Sequence, residues 1–273
     1  MAKPQAGDEA LMRDYSIVLA ADLATAEQVS EIVKEVGPVI DGLKIGVPTI
    51  LECGVQILPR LSDLIEEKPL LLDLKVADIG FNSKGKWTGT NSKIISRLKG
   101  SGVTHITVHG FPGPASIAES IHQAHEIGIE VLLLPTMSHP GAELFFSHPF
   151  QATILDRVSE TSVQKPMEVI ASANDVTEAI LILGETLDVD GYIGPATKPQ
   201  DLEKYRKISS KPIWCPGFGR QDRLGRNITQ QLESWAKIVG PSSAAIIGSM
   251  IFEAKSPYQA ALDLKIIRDK VVE

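Results

Sequence analysis

Eight short apolar runs, separated by stretches with helical periodicity, restrict this chain to very few folds. The runs are Ser16 to Leu23, Asp41 to Gly46, Leu70 to Val76, His105 to Gly110, Glu130 to Met137, Gly191 to Ala196, Pro212 to Phe218 and Ala244 to Ser249. Between them lie amphipathic stretches such as Ala24 to Val36, Thr90 to Lys99, Pro114 to Ile127, Asp201 to Ile208, Asn227 to Val239 and Ser256 to Val272. A short apolar run bounded by turn residues fits a strand buried on both faces, and apolar residues recurring every three or four positions fit a helix packed on one side. Eight strands each followed by a helix, in about 250 residues, is the count of a TIM (β/α)8 barrel. A doubly wound open sheet is the alternative, but no GxGxxG follows the first run. The expectation is an α/β fold with one barrel domain over residues 1–273, preceded by a flexible or capping segment at 1–14.

Two stretches interrupt the rhythm. Gly80 to Gly89 (GFNSKGKWTG) is polar and Gly-rich with Trp87 embedded, and it is too long for an ordinary turn between the third strand and its helix. It reads as a lid or interface element. Leu144 to Val176 carries Phe145, Phe146, Phe150 and the pair Lys165-Pro166 before a helical pattern reaching Leu187. It reads as an embellished connection after the fifth strand, with extra helix.

Composition narrows the functional classes. The 273 residues are 43% hydrophobic, ample for a sizeable core. The formal net charge of −7 argues against a nucleic-acid partner, which needs a basic face. Cys53 and Cys215 lie far apart without CxxC spacing, so neither a disulfide framework nor a thiolate zinc site is indicated. The opening MAKPQAGDEALMRD lacks the apolar stretch of a signal peptide, and no run approaches the eighteen apolar residues of a membrane span. A soluble protein of the cytoplasm is expected.

The third run, Leu71-Leu-Asp-Leu-Lys-Val-Ala-Asp-Ile79, places Asp73, Lys75 and Asp78 at the end of an apolar strand. With a period of two, Asp73 and Lys75 project from one face and Leu72, Leu74 and Val76 from the other. Opposite charges about 4 Å apart attract by roughly 4 kcal/mol at an effective dielectric near 20, and their burial is costly unless each finds further partners. A salt bridge explains two of these residues. Three ionisable groups in six positions at the exit of a core strand point to a site.

In a barrel, chemistry collects at the carboxyl ends of the strands. Those ends carry Ala21-Asp22-Leu23, Leu43-Lys44-Ile45-Gly46, Asp73-Leu-Lys75-Val-Ala-Asp78-Ile79, Val108-His-Gly-Phe-Pro-Gly113, Met137-Ser-His-Pro-Gly-Ala142 and Pro216-Gly-Phe-Gly-Arg-Gln221. This ordered set resembles the archaeal-type orotidine 5'-monophosphate decarboxylases, from Ser16 to the last helix. D-x-K-x-x-D alone marks a superfamily; with M-S-H-P-G-A and P-G-x-G-x-Q it is specific.

The resemblance implies decarboxylation of orotidylate to UMP and CO2, without metal or other cofactor, by a homodimer. Lys44, Asp73, Lys75 and Asp78 would form an alternating charge array, with Asp78 supplied by the neighbouring subunit. Lys75 would stabilise charge at C6 and protonate it. Asp22 and Lys44 would meet the ribose from one side, and Asp78 and Thr90, crossing the interface beside Ile79, from the other. Ser138 would hold the pyrimidine beside Pro216, and Gln221 with the amides near Gly248 and Ser249 the phosphate.

This chain departs from the family at one point. Gly248-Ser249 stands where an arginine usually contacts phosphate, and Arg220, Arg223 and Arg226 are candidate replacements. Arg223 or Arg226 is favoured, the position before Gln221 being expected to face outward. Sugar-phosphate lyases of the same superfamily use a metal held partly by an acidic residue on the second strand, where Lys44 would repel a cation. A non-catalytic barrel is the other alternative, disfavoured by the intact charge array. His122 and His125 read as a surface pair, Cys215 as core, and Asp263 to Glu273 as a solvated helical end.

Overall fold

The computed structural model describes residues 14–23, 25–66, 68–139, 141–149, 173–222 and 224–273. Residues 1–13, nearly all of the expected N-terminal segment, and 150–172, most of the expected elaboration after the fifth strand, lie outside the described residues.

Each of the eight apolar runs forms a strand. These are β1 Ser16–Ala20, β2 Gly42–Gly46, β3 Leu70–Val76, β6 His105–His109, β7 Glu130–Leu134, β8 Gly191–Ile193, β9 Ile213–Pro216 and β10 Ala244–Ile247. They close into a parallel barrel in the order β1-β10-β9-β8-β7-β6-β3-β2, with helices around it, so the fold is a TIM barrel. Most strands end before the apolar runs do. The last residues of those runs, such as Asp22, Thr136 and Gly248, have left the ladder to line the mouth.

Side-chain alternation divides the core in two. Val18, Leu71, Leu132, Leu134, Ile193, Trp214, Ala244 and Ile246 pack together inside the barrel, while their neighbours, Ile17, Leu19, Leu72, Val131 and Leu133 among them, pack outward beneath the helices. Trp214, 1% exposed, lies against His105 with ring centroids 4.7 Å apart. Helices form over the expected stretches where caps are clear. Thr25 and Gln28 form a capping box opening Ala26–Val36, and Asn227 and Gln230 one opening Ile228–Val239. The helix required after β2 is met by two, Val47–Cys53 and Leu58–Leu64, which no apolar periodicity marks because Pro48 and Pro59, each in a first turn, divide the pattern into short pieces.

Gly80 to Gly89 contains a hairpin, β4 Asn82–Ser83 paired with β5 Lys86–Trp87. Lys84 and Gly85 between them have φ of 52° and 81°, the positive pair that a two-residue I′ turn requires. Glu119, fully buried, accepts the Phe81 N–H at 2.6 Å through one oxygen and the Ser92 N–H at 3.1 Å through the other, clamping both ends of the insertion.

The C-terminal helix, Pro257–Val272, departs from the solvated end expected at Asp263 to Glu273. Lys265 and Arg268 reach the buried Asp41 at the foot of β2, at 3.1 and 3.0 Å, and Asp41 also accepts the Ile17 N–H at 2.9 Å. Burial alone would raise the Asp41 pKa; the backbone donor and the two cations outweigh it and hold the carboxyl below its ordinary range.

Candidate active site

A cavity of about 400 Å3 opens at the carboxyl ends of the strands, the end a TIM barrel uses for chemistry. Of the residues expected at a site, Asp22, Lys44, Asp73, Lys75, Ser138, Pro216, Arg220, Gln221, Gly248 and Ser249 line it.

The charges on one wall alternate. Asp22 Oδ2 accepts from Lys44 Nζ at 2.8 Å, Lys44 Nζ also reaches Asp73 Oδ2 at 3.4 Å, and Asp73 Oδ1 accepts from Lys75 Nζ at 2.8 Å. Lys44 enters the barrel because it stands in register with Leu71, two residue pairs below Gly46 and Asp73 and so on the same face as Asp73. Asp22 is fixed by the Gly46 N–H, which its Oδ1 accepts at 2.7 Å. That approach needs glycine, since a Cβ at position 46 would fall 2.4 Å from Asp22 Oδ1. Desolvation pushes the Asp73 pKa up; Lys44, Lys75 and the Thr107 hydroxyl more than offset it, so the carboxyl sits below its ordinary range.

Lys75 reaches the cavity differently from the regular alternation expected. Its φ is +50°, a conformation that costs a lysine on the order of 1–3 kcal/mol. Between the pairs Leu72–Ile106 and Val76–Val108, three residues of β3 stand opposite Thr107 of β6, so the strand bulges where the charges lie. Asp73 follows Leu71 into the barrel by period two. Lys75 gets there by the bulge. Thr107 is 1% exposed, and its hydroxyl accepts the Lys75 N–H and donates to Asp73 Oδ1, both at 2.8 Å. Sequence reading missed Thr107, because a threonine in an apolar run reads as an ordinary strand former.

Asp78, Ile79 and Thr90 are not brought into this cavity. Asp78 and Ile79 border a separate shallow depression with Pro112 and Ser116, and Ile79 is 68% exposed. The Asp78 backbone is tightly held. Its N–H donates to Asn91 Oδ1 at 3.0 Å, and its carbonyl accepts from Asn91 Nδ2 at 3.0 Å and Ser116 Oγ at 2.7 Å. Thr90 begins helix Thr90–Ile95, half-exposed.

The opposite wall is built from the loops after β9 and β10. Gln231, on the following helix, accepts the Gly219 N–H at 2.8 Å and donates to the Arg226 carbonyl at 2.7 Å, fixing the loop that carries Gln221. Arg220 and Arg226 exchange the roles anticipated for them. Arg220 lines the cavity, 74% exposed, in an ion pair with Glu253. Arg226 is turned onto Asp222, with Nη2 at 2.6 Å and Nε at 3.1 Å from Oδ1, and onto the Ala196 carbonyl. The nearly buried Asp222 captures it four residues away and takes it out of the cavity lining. Arg223 lies outside the described residues.

His109 accepts the Phe111 N–H at 3.1 Å and stacks on Phe146, and burial, with the Lys75 charge, pushes its pKa below the ordinary value. His122 and His125 bind separate carboxylates, Glu126 and Asp190. Cys215 is fully buried. Among the described residues, no group of three His, Cys, Asp or Glu could hold a metal ion, and no helix is long and apolar enough to cross a membrane.

Residues 15–264 match the model of the orotidine 5'-phosphate decarboxylase / HUMPS family. The chain is 26% identical to orotidine 5'-phosphate decarboxylase of Methanocaldococcus jannaschii, over 93% of this chain and 99% of that protein. It is 30% identical to the enzyme of that name from Methanosphaera stadtmanae, over 89% and 93%. The crystal structure of the M. jannaschii orotidine 5'-monophosphate decarboxylase complexed with inhibitor BMP superposes with a TM-score of 0.72 at 25% identity, covering 94% of this chain and 99% of that one.

Proposed function

The chain belongs to the orotidine 5'-phosphate decarboxylase / HUMPS family, and on that premise we propose that it is a carboxy-lyase converting orotidylate to UMP and CO2, a step of pyrimidine nucleotide synthesis. The observation that carries this reading is the row Asp22–Lys44–Asp73–Lys75 along one wall of the cavity.

The reaction sets a clear electrostatic problem. When the C6–carboxylate bond breaks, its electron pair stays on a vinyl carbon with no adjacent carbonyl to delocalise it. The site must stabilise that charge and deliver a proton. The Lys75 ammonium, held by Asp73 and 39% exposed to the cavity, does both: it faces the developing charge, then transfers a proton from Nζ to C6 and regains one from solvent. Asp73 orients Lys75. No cofactor enters this scheme, and the Lys44 ammonium stands on the second strand between two carboxylates, where the metal-dependent lyases place an acidic ligand.

The remaining lining residues suit the substrate's other parts. Asp22 and Lys44 meet ribose hydroxyls, Ser138 and Pro216 border the pyrimidine, and Gln221 with the amides of Gly248 and Ser249 holds the phosphate, the usual anion position after the seventh and eighth strands. Arg220 is the described arginine available to the dianion in place of the residue missing at Ser249. Phosphate contacts far from C6 supply binding energy used at the reacting carbon. The enzyme acts in the cytoplasm as a homodimer, in which Asp78, Ile79 and Thr90 complete the ribose site of the second copy. Their exposure, and the rigid backbone clamp on Asp78, support that reading.

Loss of orotidylate absorbance, followed with and without chelator, tests the activity: turnover unaffected by chelator is expected, and absence of turnover would refute it. Mixing inactive Lys75→Ala with inactive Asp78→Ala tests the dimer. Hybrids contain one complete site, so activity should return; no recovery under demonstrated subunit exchange makes each site self-contained.

A further inference from the structure

We propose that Thr107 is a positioning residue for the reaction, fixing both the backbone and the charge partner of Lys75; this rests on the reading of Lys75 as proton donor. Four hydrogen-bonding groups form one closed ring. The Lys75 N–H donates to Thr107 Oγ1, Thr107 Oγ1 donates to Asp73 Oδ1, and Asp73 Oδ1 accepts Lys75 Nζ, each at 2.8 Å. The direction of each bond is forced. A backbone N–H can only donate and a carboxylate can only accept, so the single hydroxyl proton must point at Asp73.

The geometry explains how a lysine is kept in an unfavourable conformation. Lys75 holds φ +50° inside a bulge that has Thr107 as its sole partner on β6. Without the hydroxyl, the Lys75 N–H and one lone pair of Asp73 lose their partner in a largely buried place, and the bulge loses what offsets its strain. Lys75 would then relax toward extended backbone and carry its ammonium away from the reacting carbon. Displacements of about 1 Å are enough to cost up to about 10²-fold in rate. The hydroxyl also helps keep Asp73 ionised. The charged groups facing Asp73 are Lys44 from β2 and Lys75 on its own strand, with Asp22 beyond Lys44 and His109 at the end of β6 near Lys75.

The test compares Thr107→Val, which keeps the shape and removes the hydroxyl, with Thr107→Ser, which keeps the hydroxyl. Thr107→Val should lower kcat by about tenfold to a hundredfold while KM for orotidylate stays within about threefold, since phosphate and ribose contacts are untouched. The acid limb of its kcat profile should move to higher pH, because Asp73 loses a bond that favours its ionised form. Thr107→Ser should restore most of kcat and the original limb. Should Thr107→Val fail to fold, Thr107→Cys fills similar volume with a weak hydrogen-bonding group and carries the same comparison. With Lys75→Ala inactive, a folded Thr107→Val having the parent kcat and pH profile, or a Thr107→Ser as impaired as Thr107→Val, would overturn this inference alone. Activity retained by Lys75→Ala would overturn it together with the mechanism it rests on.

Discussion

Two carboxylates at opposite ends of the barrel have nearly the same electrostatic setting and entirely different surroundings. Asp41 at the foot of β2, buried, and Asp73 near the top of β3, its side chain 16% exposed, are each bonded to two cations and each held below the ordinary carboxylate range. Asp41 is 3% exposed, its cations come from the last helix, and a backbone N–H takes another lone pair. The cations of Asp73 come from β2 and β3, and both point into a 400 Å3 cavity where Lys75 is 39% exposed. A buried triad of charges is therefore no mark of a site. What makes one is a cation with a free approach, held by strained backbone, at the end of the barrel where loops leave room for a ligand.

The contrast breaks most sharply at Asp41. Removing it takes the buried carboxylate from Lys265 and Arg268, leaving Arg268 with Asp269 and the Tyr15 carbonyl, and losing one partner of a buried pair costs about 3–5 kcal/mol. Urea unfolding of Asp41→Ala should show that loss, with kcat per folded molecule unchanged. Its folded pKa is depressed, so its contribution to stability is complete above the ordinary carboxylate value, about 3.9, and disappears as pH falls through the lower folded value. Stability of Asp41→Ala should accordingly fall less steeply in acid than that of the parent.

Asp73→Asn should do the reverse. It leaves shape and most packing intact but removes the charge that orients Lys75, so kcat should fall about 10²–10³-fold, or about 3–4 kcal/mol of barrier. Its unfolding midpoint should change far less than that of Asp41→Ala. Equal loss of stability in the two variants would erase the distinction between them.

Across the cavity, Arg220 and Glu253 form an exposed pair that contrasts with both triads. If Arg220 turns to the phosphate, Arg220→Ala should weaken kcat/KM for orotidylate by about 1.5–3 kcal/mol, the range for hydrogen bonds to charged groups, and leave orotidine unaffected. Glu253→Gln frees the guanidinium from a solvent-exposed competitor worth about 0–1 kcal/mol, so KM should fall by at most a few-fold. Unchanged phosphate discrimination in Arg220→Ala would leave the anion to Gln221 and backbone amides.

The barrel and the four charges of the row were legible in sequence as lining its mouth, because strand alternation and the position of strand ends mark them. Asp22, Lys44 and Asp73 obey the same period as the apolar residues beside them. The conformation of Lys75 was not legible: a positive φ is announced by glycine, and here tertiary hydrogen bonds impose it on a lysine. Thr107 carries no signal of its own for the same reason. The choice between Arg220 and Arg226 turned on Asp222, a loop carboxylate whose capture of Arg226 depends on the fold of that loop. Asp41 and Arg268 lie 227 residues apart, and nothing local marks either as the other's partner.

Proton transfer from Lys75 to C6 can be run in reverse. In D2O, UMP bound to the enzyme should exchange its C6 hydrogen for deuterium, followed by proton NMR, without any decarboxylation. Lys75→Ala should bind UMP with affinity close to that of the parent and exchange no faster than UMP free in solution. Exchange by Lys75→Ala at the parent rate would contradict the assignment and place the proton donor elsewhere in the cavity.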